Sequence, residues 1–218
     1  MKKIKLTYFD HTWGRALATR IALRMANIGY EDERVVFPQF EKMRGTSGQS
    51  NKVPLGVLPT LEVSSSQVSS QSMSIARYAG KRAGLYPLQD FEKALLVDEV
   101  METTLEMMES VSRISKEHDG TAENIKQNIH QRMTFYLEFI SRKIAYENGP
   151  YLLGKEVSIA DLVLFQVMYN VRDGRVKEVT LENSFFKFPT IKAHFENVER
   201  LPAVRLELAE DQKRYCQM

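Results

Sequence analysis

Only one cysteine, Cys216, occurs in the 218 residues, so the chain cannot form an internal disulfide. A reducing compartment is therefore the simpler expectation. Long apolar runs are also lacking: the longest, around LVLFQVMY, is too short to cross a bilayer. Asp10, His11 and Arg15 interrupt any apolar segment that could follow the basic start of a signal peptide. These absences predict a cytoplasmic protein without a membrane partner.

The chain has no excess of either charge, since 30 Lys and Arg stand against 28 Asp and Glu and the net charge is +2. This balance predicts no nucleic acid partner. No metal site is expected, because no His/Cys pair has ligand spacing and the four histidines stand far apart: His11, His118, His130 and His194. The loop DHTWGR carries no phosphate-binding glycine pattern, and no G-x-S-x-G motif occurs. NAD-dependent enzymes and hydrolases are therefore disfavoured.

The first part of the sequence has the pattern of a β-α-β unit. Apolar alternation predicts a strand over Lys3 to Phe9, and residues 15–29 have the apolar period of a helix that Gly29 would end. A second strand is predicted over Tyr30 to Phe37. Parallel strands need such a crossover helix.

A second unit follows a polar stretch rich in Gly and Ser at residues 43–52. Residues 54–63 and 64–70 predict two short strands joined by a hairpin turn. A helix is predicted to begin at about Ser72 and to close at Gly84. The expected order is therefore β-α-β followed by β-β-α.

From Phe91 onward the sequence predicts only helices, with apolar residues at helical spacing through two long segments. A third helix is indicated by VSIADLVLFQV, in which Ser158 is a good N-cap and Asp161 can return a hydrogen bond to it. This pattern favours a structural cap over a catalytic role for Asp161. A final helix is predicted over residues 201–215.

Pro59 interrupts an otherwise strand-like stretch, PLGVLPTLEV, where a ladder N–H is expected. Three interpretations remain open: a trans proline that opens an edge strand, a loop, or a cis proline. In the third case Leu58 would turn its backbone N–H and C=O toward a peptide-like ligand. Similarly, the helix start at Ser72 either binds a carboxylate or is merely capped by Ser70 or Ser72.

Four motifs, YFDHTWGRA, PLGVLPTLEV, QSMSIARY and SIADLVL, resemble in order and spacing the cytosolic glutathione transferases. KLTYF and QSMSIARY are most similar to the sigma class, which includes glutathione-dependent prostaglandin D synthases and S-crystallins. The resemblance implies an α/β plus all-α protein. A thioredoxin-like glutathione-binding domain would span residues 1–84, a linker 85–90, and an all-helical domain with an electrophile pocket and dimer contacts 91–218.

The same resemblance implies a mechanism and most of a glutathione site. Tyr8 would hydrogen-bond the glutathione sulfur, with Arg15 nearby. Leu58, before a cis Pro59, would pair with the cysteinyl part, and Gln71 and Ser72 would bind the γ-glutamyl carboxylate. The thiolate would attack hydrophobic electrophiles, so the implied role is detoxification, with peroxide reduction or prostaglandin isomerisation as further activities. Glutathione is the co-substrate, and no metal is implied.

The sequence departs from the family where glutathione's glycine end would lie. Phe40 stands in place of a tryptophan and Arg44 in place of a lysine, with Lys52 as a rival, beside an apparent insertion at residues 45–52. Glu102 replaces an aspartate that reaches the partner subunit's site in the implied homodimer; Asp98 is the alternative. The loop DHTWG is also one residue longer than usual, which affects the placement of Arg15.

The second-substrate pocket is expected to be apolar and lined by Phe9, Trp13, Met107, Met108 and Ser112. The enzyme interpretation has one alternative from another class. A structural or binding protein of the S-crystallin kind would keep this fold while its catalysis has decayed.

Overall fold

The computed structural model describes residues 4–11, 14–48, 50–64, 67–114, 122–172 and 187–215. Its sheet has the order β2-β1-β3-β4, in which β1 and β2 are parallel and the other neighbours antiparallel. The strands are β1 Ile4–Phe9, β2 Tyr30–Val35, β3 Thr60–Ser64 and β4 Gln67–Ser69.

Eight helices accompany the sheet in the described residues. They are α1 Leu17–Met25, α2 Phe37–Arg44, α3 Ser72–Ala83, α4 Phe91–Ile114, α5 Ala122–Tyr146, α6 Ile159–Arg172, α7 Pro189–Glu199 and α8 Pro202–Tyr215. In the described part of the chain no strand follows β4. The predicted fold class is confirmed, although α2 and α7 were not predicted. None of the described helices is long and apolar enough to span a membrane.

The second strand ends earlier than predicted, at Val35 rather than Phe37. Phe37 begins α2 instead, and Pro38 occupies its first turn, where the missing N–H of proline has no consequence. The Gln39 side chain accepts a hydrogen bond from the Val36 N–H at 3.0 Å, which satisfies the helix entry. Phe40 is the only buried residue of this helix, so the apolar period that would predict it is absent.

The end of α1 also differs from the prediction that Gly29 stops it. The helix ends at Met25, and Asn27 adopts a positive φ of 52°. The N–H of Ile28 then bonds the carbonyl oxygen of Leu23 at 2.9 Å. Asparagine tolerates the left-handed conformation well, so the chain turns two residues before the glycine.

Within the described residues the core forms two clusters, and both include residues of α1 and α3 or of the turns that lead into them. One cluster joins the strands to Phe40 and Leu58, and it includes Tyr8. The other joins the helices of the second half of the chain to apolar residues of α1 and α3, among them Ile21 and Ala76. The two helices thus connect the sheet with the helical half of the protein.

Gly80, on α3, shows how close that packing is. A Cβ built there would lie 2.7 Å from the Cβ of Ile159, at the start of α6. Because isoleucine is stiff at χ1, we expect Gly80→Ala to lower the free energy of unfolding by about 1 to 3 kcal/mol, despite alanine's better helix propensity. Urea denaturation measures this difference. The exposed Ser74→Ala on the same helix is the control and should be neutral or slightly stabilising.

Candidate active site

The residues predicted to bind a ligand meet at one end of the sheet, where the strands β1, β3 and β4 end or begin. Thr7 pairs with Thr60 across the antiparallel β1 and β3, and Leu61 pairs with Ser69 across β3 and β4. The end of β1, the start of β3 and the end of β4 therefore lie side by side. This register brings Tyr8, Leu58-Pro59 and Gln71-Ser72 to the same end of the sheet.

Tyr8 is buried, with 6% of its surface exposed, and its hydroxyl oxygen accepts a hydrogen bond from the Arg15 backbone N–H at 2.9 Å. Burial raises the pKa of Tyr8 above its ordinary value, and the opposing effects of that hydrogen bond and of the charges of Arg15 and Arg20 are smaller. The phenol therefore stays protonated at neutral pH. Its O–H can donate to an atom in the site while Arg15 holds the oxygen from the other side.

Gly14 allows the loop to pass this close to Tyr8. A Cβ at Gly14 would lie 2.4 Å from the tyrosine hydroxyl oxygen, and the backbone has a φ of +93°. The Gly14 N–H donates to Asn170 Oδ1 at 3.0 Å, which ties the loop to α6. The longer loop thus still brings the backbone of Arg15 to Tyr8.

The Leu58-Pro59 peptide bond is cis. It precedes β3, which lies between β1 and β4 and is therefore not an edge strand. The interpretation of Pro59 as a trans proline that opens an edge strand is therefore wrong, because the bond is cis and the strand that follows it is an interior one. Leu58 is buried in the same cluster as Tyr8.

The start of α3 has no side-chain cap. Gln71 is the N-cap residue, with a φ of 76°, and no side-chain hydrogen bond caps the helix. Ser72 is buried, and the Ser70 hydroxyl is buried without a hydrogen-bond partner. The interpretation that Ser70 or Ser72 caps the helix is therefore wrong. The free N–H groups and positive end of the helix dipole make this a favourable place for a carboxylate.

Phe40 and Arg44 lie together on α2. The ring of Phe40 contacts that of Phe9 with 5.2 Å between centroids, and the Arg44 guanidinium lies 5.4 Å from the Phe40 centroid. Arg44 Nε is buried without a hydrogen-bond partner. Lys52 lines a neighbouring cavity of about 520 Å³, together with Lys42, Met43, Ser50 and Asn51. Arg44 thus lies against Phe40, and Lys52 lies near Lys42 and Met43 of the same helix.

Glu102 and Asp98 have a partner within the chain. Arg77 of α3 donates to Asp98 Oδ1 at 2.7 Å and to Glu102 Oε1 at 2.9 Å. The Tyr86 hydroxyl donates to the other oxygen of Asp98 at 2.9 Å. Glu102 is the more exposed of the two acids, so it is the one with freedom to turn toward another molecule.

The residues predicted for the electrophile pocket have different environments. Phe9 is half-buried next to Tyr8, with 5.6 Å between ring centroids. Met107 and Met108 are buried in the helical core, and Ser112 is half-buried. Met107 has no exposed surface, so it can support a pocket wall but not form its surface. Trp13 lies outside the described residues.

Two residues that hold the site were missed. Gln166 Oε1 accepts the Ala18 N–H at 3.0 Å, as Asn170 does for Gly14, and both amides lie on α6. A spacing of four places them on one face. Polar amides in the otherwise apolar stretch LVLFQVMYN were the available signal, because buried amides need partners. The described residues contain no group of three or more His, Cys, Asp or Glu side chains that could hold a metal ion.

Known proteins are similar to this chain in sequence and in fold. A model of the glutathione S-transferase C-terminal domain matches residues 97–206. Glutathione S-transferase 3 of Caenorhabditis elegans is 31% identical over 170 residues, covering 75% of this chain and 78% of that protein. The structure of prostaglandin synthase D of Nilaparvata lugens has a TM-score of 0.78 at 25% identity, covering 95% of this chain and 98% of the other.

A second solved structure, a glutathione S-transferase of Necator americanus described as monomeric, has a TM-score of 0.77 at 27% identity and covers 96% of this chain and 97% of the other. The family model covers half of this chain, and the relative from Caenorhabditis elegans extends the similarity beyond it. On these matches, the chain belongs to the glutathione S-transferase family.

Proposed function

We propose that this protein is a glutathione transferase in which Tyr8 donates a hydrogen bond to the glutathione sulfur and the resulting thiolate attacks a hydrophobic electrophile. One observation carries the proposal. The Tyr8 hydroxyl lies where the site residues meet, its oxygen accepts a hydrogen bond from the Arg15 backbone N–H at 2.9 Å, and burial raises its pKa above the ordinary value. Its own O–H is therefore available to donate a hydrogen bond to a bound group.

The chemistry requires the thiol pKa to fall. A free thiol titrates near ~8.5, so little thiolate exists at neutral pH, yet the thiolate is the nucleophile. A hydrogen bond from neutral Tyr8 stabilises the charged sulfur. Lowering the pKa by two units takes about 2.7 kcal/mol, which is within reach of one charge-assisted hydrogen bond.

The remaining glutathione contacts are proposed from the register of the sheet edge. The Leu58 backbone would pair with the cysteinyl part, as a strand would. Gln71 and Ser72, at the uncapped start of α3, would take the γ-glutamyl carboxylate. The glycyl carboxylate would lie near Phe40, where Arg44 and Lys52 are the available cations.

We expect Ser72→Ala to weaken glutathione binding by about 1 to 3 kcal/mol, because a bound carboxylate would lose a buried partner. Isothermal titration calorimetry measures the change. Ser74→Ala, two residues further along α3 and exposed, is the matched control. Equal affinities of the two variants would exclude Ser72 from the γ-glutamyl site.

The activity itself is tested by retention on immobilised glutathione, followed by turnover of a general halogenated aromatic electrophile. Retention with turnover supports the enzyme, whereas retention without turnover supports the S-crystallin-like alternative. The described site favours the enzyme, because the Arg15 backbone N–H donates to the Tyr8 hydroxyl oxygen and leaves the tyrosine O–H available to the glutathione sulfur. A screen that adds lipid hydroperoxides and a prostaglandin endoperoxide would then identify the substrate and test the proposed sigma-class character.

We propose a homodimer in which the first domain of one chain packs on α4 of the other, so that Glu102 completes the partner's site. The exposure of the Glu102 side chain supports this role. Its ion pair with Arg77 of the same chain would compete with a contact to the partner. Sedimentation at assay concentration should give a dimer, and Glu102→Gln should weaken glutathione binding only in that dimer. A fully active monomer would exclude this arrangement; the Necator americanus structure is described as monomeric.

The remaining proposals follow from the same function. The domains are proposed to span 1–84 and 91–218, with 85–90 as the linker. The Ile159 N–H donates to the Leu85 carbonyl oxygen, which supports a short, fixed connection.

We further propose a cytoplasmic protein with a role in detoxification. Fractionation of cells of the source organism tests the first, and sensitivity to electrophiles after loss of the protein tests the second.

A further inference from the structure

The cavity of about 520 Å³ lies between the last turn of α2 and the loop that follows this helix. Its volume is in the range of pockets that hold small ligands in proteins. Three of its lining residues belong to the apparent insertion at residues 45–52, so the cavity depends on the part of the sequence that departs from the family pattern. The lining side chains include two cations and no acid: Lys42, Met43, Ser50, Asn51 and Lys52.

Hydrogen bonds hold the loop wall of the cavity in place. The Ser50 hydroxyl donates to the carbonyl oxygen of Met43 at 2.6 Å and accepts the Lys52 N–H at 3.2 Å. Backbone hydrogen bonds also join Ser50 and Val53 in both directions, at 3.3 and 3.1 Å. Val53 is fully buried in the same core cluster as Tyr8. The wall is therefore anchored to the core of the proposed glutathione site.

The cavity has an excess of positive charge. In the part of the chain that the structure describes, neither Lys42 nor Lys52 forms a salt bridge with an acid. Glu33 of β2 is within electrostatic range of Lys52, but its carboxylate is already bound to Lys5 at 2.8 Å and to Thr7 at 2.7 Å. Two ammonium groups are thus available to an anion that enters the cavity.

A row of side-chain contacts leads from the proposed sulfur position to this cavity. The ring of Tyr8 lies 5.6 Å from that of Phe9, and the ring of Phe9 lies 5.2 Å from that of Phe40. The Arg44 guanidinium lies 5.4 Å from the Phe40 centroid, and Arg44 follows the cavity residue Met43 in α2. Glutathione ends in glycine, which has no side chain to occupy the space beyond Arg44.

We propose that the cavity binds a second carboxylate at the C-terminal end of the thiol substrate. The substrate class is then a γ-glutamyl-cysteinyl peptide whose last residue is acidic. Arg44 would hold the α-carboxylate, as it would in glutathione, and Lys42 and Lys52 would bind the side-chain carboxylate that glycine lacks. This inference rests on the proposed glutathione transferase function, because it extends the same peptide site.

The expected gain in affinity is moderate, because both lysines are exposed and an ion pair in contact with water is partly screened. A carboxylate that meets two lysines should bind about threefold to tenfold more tightly than a neutral amide of the same shape. The same screening predicts that this preference declines as salt is added. A cavity that selected the peptide only by its shape would not distinguish the acid from the amide.

The test compares γ-Glu-Cys-Glu with its neutral isostere γ-Glu-Cys-Gln by isothermal titration calorimetry at low salt, with the thiols kept reduced. Wild type should prefer the acidic peptide. Lys42→Gln should reduce that preference and leave the affinity for glutathione unchanged, because glutathione does not extend to Lys42. The double variant Lys42→Gln, Lys52→Gln should abolish the preference. Lys155→Gln, which removes an exposed lysine from the turn before α6, is the matched control and should keep it.

Binding of glutathione to wild type is measured first, because its absence would refute the proposed function rather than the role of the cavity. If glutathione binds, equal affinities for the acidic and the neutral peptide overturn the inference. A preference that persists unchanged in the double variant overturns it as well, since the charge that selects the acid would then lie elsewhere. A preference that declines with added salt and with each lysine removed supports it.

Discussion

Tyr8→Phe is expected to raise the pKa of bound glutathione back toward ~8.5 and to lower kcat/KM near neutral pH by roughly tenfold to a hundredfold. The ring and its packing are kept, so the change isolates the hydroxyl. Burial holds the Tyr8 pKa above its ordinary value, so the wild-type phenol stays protonated while the thiol titrates. The variant's deficit should therefore shrink as pH rises and solvent deprotonates the thiol without help.

Two measurements decide the role of Tyr8. Thiolate absorbance in the binary complex gives the pKa, and calorimetry should show nearly unchanged glutathione affinity, because Leu58, Gln71, Ser72 and Arg44 are untouched. A tyrosine that only packs would leave the thiol pKa the same in both proteins. That result would remove Tyr8 from the mechanism and direct attention to Arg15.

Asp161→Asn should lower the free energy of unfolding by about 3 kcal/mol or more, the largest stability effect we expect in the chain. One carboxylate oxygen accepts the Leu152 N–H at 2.8 Å and contacts His194 Nε2 at 2.7 Å; the other accepts the N–H and hydroxyl of Ser158, each at 2.7 Å. Asparagine replaces one of these acceptors with a donor. The buried donors facing it would be left unpaired.

Asp90→Asn is the matched control for that stability measurement. Asp90 also accepts a helix N-terminal N–H, from Lys93 at 3.0 Å, but it is exposed, and asparagine caps about as well as aspartate. Thermal unfolding should show a fall in Tm of several degrees for Asp161→Asn and almost none for Asp90→Asn. Similar small shifts in both would mean that Asp161 is an ordinary cap.

Strongly periodic elements could be predicted from the sequence, and weakly periodic ones could not. The start of α3 near Ser72 and the cap at Ser158 and Asp161 agree with the structure because local residues determine them. Helix α2 was missed because it buries only Phe40. Helix α7 buries four residues but was also missed, because Pro189 at its start is equally typical of a residue that interrupts a helix.

The candidate site shows the same division. The positions of Tyr8, Pro59 and Ser72 follow from motifs and strand order, so sequence alone brings them together. The bond from Arg15 to Tyr8 and the cation of Arg20 below the ring depend on how a loop folds against α1. For His194 the sequence predicted only that it would not belong to a metal site. Its ring is buried against Asp161, a contact between residues 33 positions apart that no local pattern encodes.

The two amides of α6 bear on how this protein could be recombined with its relatives. Ala18 and Gly14 belong to the thioredoxin-like half, yet their N–H groups are satisfied by Gln166 and Asn170 of the other half. A graft of residues 1–84 onto a foreign helical half that lacks acceptors at these two places would carry a buried orphan donor at Ala18 and a loosened turn at Gly14. A chimaera that keeps these hydrogen bonds must therefore carry the first half together with α6, although the two are far apart in the sequence.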